Sequence, residues 1–224
     1  MAKPRLYSFA FSPTAQRVNA TLVHKKVDYE PIETDITKTE RPAEFTKVSP
    51  FGKVPVLVHD GRAIFESVVI NEYIEEVWPE PRMLPADPAD RAYARAWITY
   101  FNRVVTDRDG EFVHKAPDAA SKQAICRKIF PDLAALDREL AGKEALFLGP
   151  ELSLVDTAIA PFTRGLAIWA ELVGDPSFAR YENLAAYSAR LEAHPVLQET
   201  VYNIPRDALE GFFRMILVDG VTVP

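Results

Sequence analysis

The chain reads as an α/β domain of order βαβαββα followed by an all-helical domain. Three observations carry this. Short apolar runs alternate with helical stretches over residues 1–79. A proline-dense stretch, Trp78-Pro79-Glu80-Pro81-Arg82-Met83-Leu84-Pro85, then breaks the pattern. Beyond it strand signals nearly vanish and apolar positions recur at helical spacing. The expected division is a first domain over 1–79, a linker over 80–87 and a helical domain over 88–224.

Leu6 to Phe9 is short, apolar and aromatic, which suits a strand. Pro13 stands where a helix can begin, and Val18, Leu22 and Val23 keep one apolar face through Lys26. Tyr29 to Ile32 is a second short strand, and strand–helix–strand at this length implies a parallel pair. Pro42 to Val48 suits a short helix. Val54 to Val58 and Arg62 to Phe65 flank His59-Asp60-Gly61, and Asp-Gly is a strong hairpin signal. From Ser67, the positions Val69, Ile70, Tyr73, Ile74 and Val77 repeat at helical spacing. In the second part, Asp87-Pro88 opens a helix expected to run to about Val113, and Ala119 to Leu140 a second. Ser153 starts a third, with Leu154, Ile159, Phe162, Leu166 and Trp169 on its apolar side. Asn183 to Glu192 and Asp207 to Leu217 are the last two.

Composition narrows the function. Of 224 residues, 48% are hydrophobic, enough for a substantial core. A net charge of −6 without a basic stripe argues against nucleic acid. One cysteine, Cys126, excludes an intrachain disulfide and suits a reducing, cytoplasmic setting. The opening Met1-Ala2-Lys3-Pro4-Arg5 lacks the apolar stretch of a secretory leader, and no uncharged run is long enough to cross a bilayer. The histidines (His24, His59, His114, His194) are scattered without metal-ligand spacing.

The most informative segment is Ser49-Pro50-Phe51-Gly52-Lys53-Val54-Pro55-Val56-Leu57, followed by Phe65-Glu66-Ser67 at a helix start. Proline has no N–H, so Val54-Pro55 marks a strand edge or a cis bond and frees the Val54 backbone for a ligand. Glu66 and Ser67 open a helix, whose N-terminus attracts anions. The combination suits a small peptide-like ligand carrying both charges and a backbone amide. Ser12 lies between the first strand and Pro13, at the first helix's N-terminus.

On these residues the chain resembles the cytosolic glutathione transferases over nearly its whole length: a thioredoxin-like first domain, a linker and a helical-bundle second domain. Asn71 to Trp78 and Leu84 to Pro88 are most similar to the tau and omega classes, and Ser153-Leu154-Val155-Asp156 matches the family's helix-capping box. The resemblance implies glutathione as co-substrate, no metal, a hydrophobic electrophile as second substrate, a detoxification role and a homodimer with Phe51 near its interface. It implies Ser12 as the catalytic residue, as in the serine-type tau and zeta classes; omega members carry cysteine there and reduce disulfides. Phe11, Arg41, Lys53, Val54, Pro55, Glu66 and Ser67 would bind glutathione. Phe9 and Pro13, with Tyr100, Phe101, Val104, Phe112, His114 and Trp169, would wall the electrophile pocket between the domains.

A free thiol has a pKa near ~8.5. Lowering it by ~2 units takes roughly 2.7 kcal/mol. A hydroxyl donor and a helix N-terminus both act in that direction. Each residue also fits a plainer role: Ser12 and Ser67 as helix caps, Arg41 as a solvated charge, and the aromatic residues as core. Arg17, Asp156 and Cys126 read as structural. Two other functions remain open: glutathione-dependent lyase, isomerase or thiol reductase chemistry, and a non-catalytic ligand-binding or interaction protein on the same fold. The final segment, Val218 to Pro224, is either a loose tail or a cover over the pocket.

Overall fold

A computed structural model describes residues 2–38 and 40–223; Met1, Thr39 and Pro224 lie outside them. The first domain runs β1 (Arg5–Ser8), α1 (Pro13–His24), β2 (Glu30–Glu33), α2 (Ala43–Val48), β3 (Val56–His59), β4 (Arg62–Phe65) and α3 (Ser67–Val77). The sheet order is β2-β1-β3-β4, with β1 and β2 parallel and the other neighbours antiparallel. The chain begins β3 only after Pro55, two residues later than the apolar run suggests, because proline cannot donate to a ladder.

Side chains alternate across the sheet and serve two cores. Leu6 and Leu57 meet Val18, Leu22, Ile70 and Ile74 from α1 and α3. Tyr7, Phe9, Val56 and Val58 face the other way, onto Phe45 of α2.

The second domain comprises α4 (Pro88–Phe101), a π turn (Asn102–Thr106), α5 (Asp107–His114), α6 (Ala119–Arg127), α7 (Ile129–Asp132), α8 (Ala134–Leu140), α9 (Leu154–Val173), α10 (Glu182–Glu192), α11 (Pro195–Thr200) and α12 (Arg206–Leu217). Two expected helices are thus interrupted. The π turn divides the one expected to reach Val113. The stretch expected as one helix over Ala119–Leu140 forms three pieces, since Pro131 has no N–H to give to the preceding turn. The sequence did not single out α11 or the 3₁₀ turn at Pro176–Arg180.

At the centre stands α9, started by a capping box between Ser153 and Asp156. Asp156 is buried but well supplied, accepting from the Phe147 and Ser153 N–H groups at 2.9 and 2.8 Å and from the Tyr187 hydroxyl at 2.5 Å.

Two buried cations bind the parts together. Lys25 donates to the Trp78 and Pro81 carbonyls at 2.7 and 2.8 Å and pairs with Glu75 at 2.6 Å, which clamps the linker. Arg17, on α1, donates to Asn102 Oδ1 at 2.9 Å, Thr106 Oγ1 at 3.3 Å and the Ala158 carbonyl at 3.0 Å. No helix among the described residues is long and apolar enough to cross a membrane.

Candidate active site

The first domain supplies one wall of a cavity of about 460 Å³ that is closed on its other side by α5, α12 and the C-terminal segment. Ser12 caps α1 in extended geometry, with Pro13 in the first helical turn. Its Oγ accepts from the Ala15 N–H at 3.3 Å and lies 3.0 Å from Thr14 Oγ1. Thr14 in turn donates to the Val54 carbonyl at 3.3 Å. That last bond uses the Thr14 proton, so the Ser12 proton points at Thr14 Oγ1. The proline argument expected the Val54 carbonyl to be free; instead a first-turn hydroxyl of α1 satisfies it.

Val54–Pro55 is a cis bond, and both residues line the cavity. Glu66 and Ser67 line it too. Glu66 joins β4 to α3 at φ +68°, a conformation that L side chains rarely adopt and that tends to persist at ligand-facing positions. Ser67 is the first residue of α3 rather than its cap, and its Oγ accepts from Arg17 Nη1 at 3.3 Å. Burial lowers the Arg17 pKa to about 10. Lys53 and Phe11 also line the cavity, Lys53 from its exposed rim. Arg41 is not on the lining; it donates to the Asp35 carbonyl at 3.5 Å, and its charge is felt at His114.

Of the residues expected to wall the electrophile pocket, the structure places only some on the cavity. Phe9, Pro13 and His114 line the cavity. Tyr100, Phe101, Val104, Phe112 and Trp169 do not. Phe101, Phe112 and Trp169 are fully buried in the helical core. Trp169 packs edge-on against Phe112 and Phe213, both at 5.2 Å. Tyr100 gives its hydroxyl to the Asp132 carbonyl, and Val104 packs on the helical core. For Val104 and Phe112 the π turn is the physical reason; Tyr100 and Phe101 precede it, and Trp169 lies on α9. One extra residue in a turn rotates the following side chains by roughly 100°. Thr106, Asp109, Gly110 and Val113 then face the cavity, and Phe112 faces α9.

Phe212, on α12, stacks on Phe11 at 5.1 Å and meets Phe9 edge-on at 6.4 Å, forming an aromatic cluster. The C-terminal segment covers one end of the cavity. His114 Nδ1 donates to the Val223 carbonyl at 3.0 Å, and Lys122 Nζ reaches Thr222 Oγ1 at 3.1 Å. Gly220 makes the turn at φ +75°, where a Cβ would lie 3.1 Å from the Ala119 nitrogen. Burial pulls the His114 pKa down and pushes the Asp109 carboxyl up to about 7. Cys126 is buried, and its thiol pKa is raised by burial first and by Asp109 second.

Comparison with known proteins places this geometry. Residues 2–76 match the glutathione S-transferase N-terminal domain, and residues 119–190 match the C-terminal domain. A tobacco (Nicotiana tabacum) protein described as a probable glutathione S-transferase is 32% identical over 96% of this chain and 94% of its own. The chain belongs to the glutathione S-transferase family. Among solved structures, a rice transferase crystallised with glutathione superposes with a TM-score of 0.82 at 26% identity, covering 98% of both chains. Glutathione transferase Omega 3C from Trametes versicolor gives 0.75 at 30% identity, covering 89% of both.

Against that family frame, sequence reasoning missed Thr14, Asp109, Val113, Phe212 and Val223. Thr14 was within reach, since a hydroxyl in the first turn beside a helix cap has few other partners. The remaining four depend on helix phase and on the path of the last residues. Among the described residues, no cluster of His, Cys, Asp and Glu could hold a metal ion.

Proposed function

We propose that this transferase binds glutathione along Val54-Pro55 and Glu66-Ser67, holds its sulfur as a thiolate at Ser12, and adds that thiolate to an electrophilic carbon. The observation that carries the reading is Ser12 at a helix N-terminus on the same cavity wall as Val54, Pro55, Glu66 and Ser67. On this reading the Ser12 proton turns from Thr14 to the sulfur, and the Val54 carbonyl turns from Thr14 to the cysteinyl N–H. A charge-assisted hydrogen bond contributes about 1.5–3 kcal/mol and the helix terminus about 0.3–1 kcal/mol. The sum is comparable to the roughly 2.7 kcal/mol that a ~2-unit drop in thiol pKa requires. Glu66 accepts from the ligand ammonium, Ser67 holds its carboxylate end, and Lys53, with Arg41 nearby, faces the glycyl carboxylate. Phe9, Phe11, Pro13 and His114 contact the electrophile.

Ser12→Ala should lower kcat/KM by roughly 10- to 100-fold across electrophiles, measured as glutathione consumption. An unchanged rate favours the carrier or interaction reading. A thiol reductase is disfavoured because Ser12 cannot form a mixed disulfide and Cys126 is buried away from the site.

The same reading takes 1–79 as the glutathione domain, 80–87 as the linker and 88–224 as the electrophile domain, in a cytoplasmic detoxification enzyme that works as a homodimer. Phe51 supports the dimer: it is 68% exposed and packs edge-on against Phe65 at 5.7 Å, itself exposed, which leaves two aromatic rings together on the surface. Sedimentation at micromolar concentration should give twice the chain mass, and a single-chain mass contradicts it.

A further inference from the structure

Asp109 is a buried carboxyl that the glutathione chemistry leaves without a role. It is 9% exposed, lines the cavity and leaves Oδ1 without a hydrogen-bond partner. Asp156, the other deeply buried aspartate, accepts from three residues and caps a helix. Asp109 caps nothing, because α5 continues directly from the π turn and has no free N-terminal N–H groups to receive it. An unpaired buried charge is costly, so the group keeps its proton up to about pH 7. A thiolate in the same cavity raises that value further.

Resting on the glutathione transferase reading above, we propose that Asp109 is a catalytic proton donor to the second substrate. That substrate is an electrophile whose reacting carbon is conjugated to a carbonyl, an enone or enal. The aromatic cluster of Phe9, Phe11 and Phe212 offers a surface for a flat conjugated system, and Asp109 offers the matching donor on the helical wall. In the addition, the sulfur electron pair forms a C–S bond at the β-carbon. The C=C π pair shifts toward the carbonyl, whose oxygen takes the Asp109 proton. The resulting enol returns to the carbonyl form by moving that proton to the α-carbon through water. The proton that glutathione released on ionising replaces the one Asp109 lost. The net change is addition of S–H across the double bond.

Asp107, His114 and Lys115 share the helical side of the lining with Asp109, Lys53 and Glu66 stand across the cavity, Cys126 on α6 feels its charge, and Arg17 bonds Thr106 of the same lining. Burial is the cause of its raised pKa. A carboxyl acting as proton donor works below that pKa and fails as pH rises through it.

The test compares wild type, Asp109→Asn and Asp109→Leu with glutathione and two probes: benzylideneacetone, an enone, and benzyl chloride, which has no oxygen to protonate. The readout is the ratio of kcat/KM for enone over halide from pH 5.5 to pH 8.5, in which the thiolate fraction cancels. Ultraviolet thiolate absorbance is followed alongside to show that each variant folds and binds glutathione. The proposal expects thiolate in all three proteins and a ratio lowered about tenfold or more in Asp109→Leu. Asp109→Asn should restore part of it through its amide donor, with no pH dependence. The wild-type ratio should fall as pH rises past about 7. Thiolate formation with an unchanged ratio overturns the role of Asp109 alone, and a ratio that rises with pH does the same by making Asp109 act as an anion. Absence of thiolate in the wild type overturns the glutathione reading and this assignment with it.

Discussion

The first-domain wall of the cavity is positioned by special backbone features, and the helical wall by the phase of its helices. On the first wall, a helix start, a cis proline and a residue at positive φ set the geometry, through Ser12, Val54-Pro55 and Glu66. On the second, Asp109, Val113, His114 and Phe212 contribute, and each is there because its helix is turned a particular way. The difference separates two tasks. A wall built on backbone positions holds one ligand with fixed donors and acceptors. A wall built on a helix face changes with a single substitution or one inserted residue, so it suits a variable second substrate.

Arg17 tests whether the two walls are one unit. Its guanidinium bonds Ser67 on the first wall and Asn102, Thr106 and Ala158 on the helical side. Arg17→Met removes these four bonds from buried acceptors, at a cost of about 3 kcal/mol. For a chain of this size that lowers Tm by roughly 6–12 °C in a thermal scan. A change under about 2 °C would show that the domains are held by apolar packing alone. A smaller effect sharpens the contrast. Glu66→Ala should raise KM for glutathione about tenfold, the loss of one charge-assisted hydrogen bond, while the enone-to-halide ratio stays as in wild type. A shift in that ratio would mean that the walls do not act separately.

The same contrast explains what could be read from the chain. Proline, Asp-Gly and cap residues act locally, so the seven elements of the first domain and the seats of Ser12, Pro55, Glu66 and Ser67 follow from short segments. The helical wall does not. The run from Pro88 to Val113 carries an apolar repeat that continues through residues 102–106, and nothing local announces the π turn there. With the turn unforeseen, Val104 and Phe112 are assigned to the cavity and Asp109 is passed over, while Phe101, which precedes the turn, packs on Phe162 of α9. Trp169 fails for another reason: on a helix that is buried nearly all round, as α9 is, an aromatic residue is core. The closure of the cavity by Val223 depends on contacts with His114 and Val113 from distant sequence.

The central claim is that Ser12 holds a glutathione thiolate in this cavity. A titration of the protein with glutathione at neutral pH, followed by ultraviolet thiolate absorbance beside Ser12→Ala, tests it most directly. The account predicts a saturable thiolate signal in the wild type, with its pKa about 2 units below that of the free thiol, and loss of most of that signal at neutral pH in the variant. Saturable binding with no thiolate, or equal thiolate in both proteins, would contradict it.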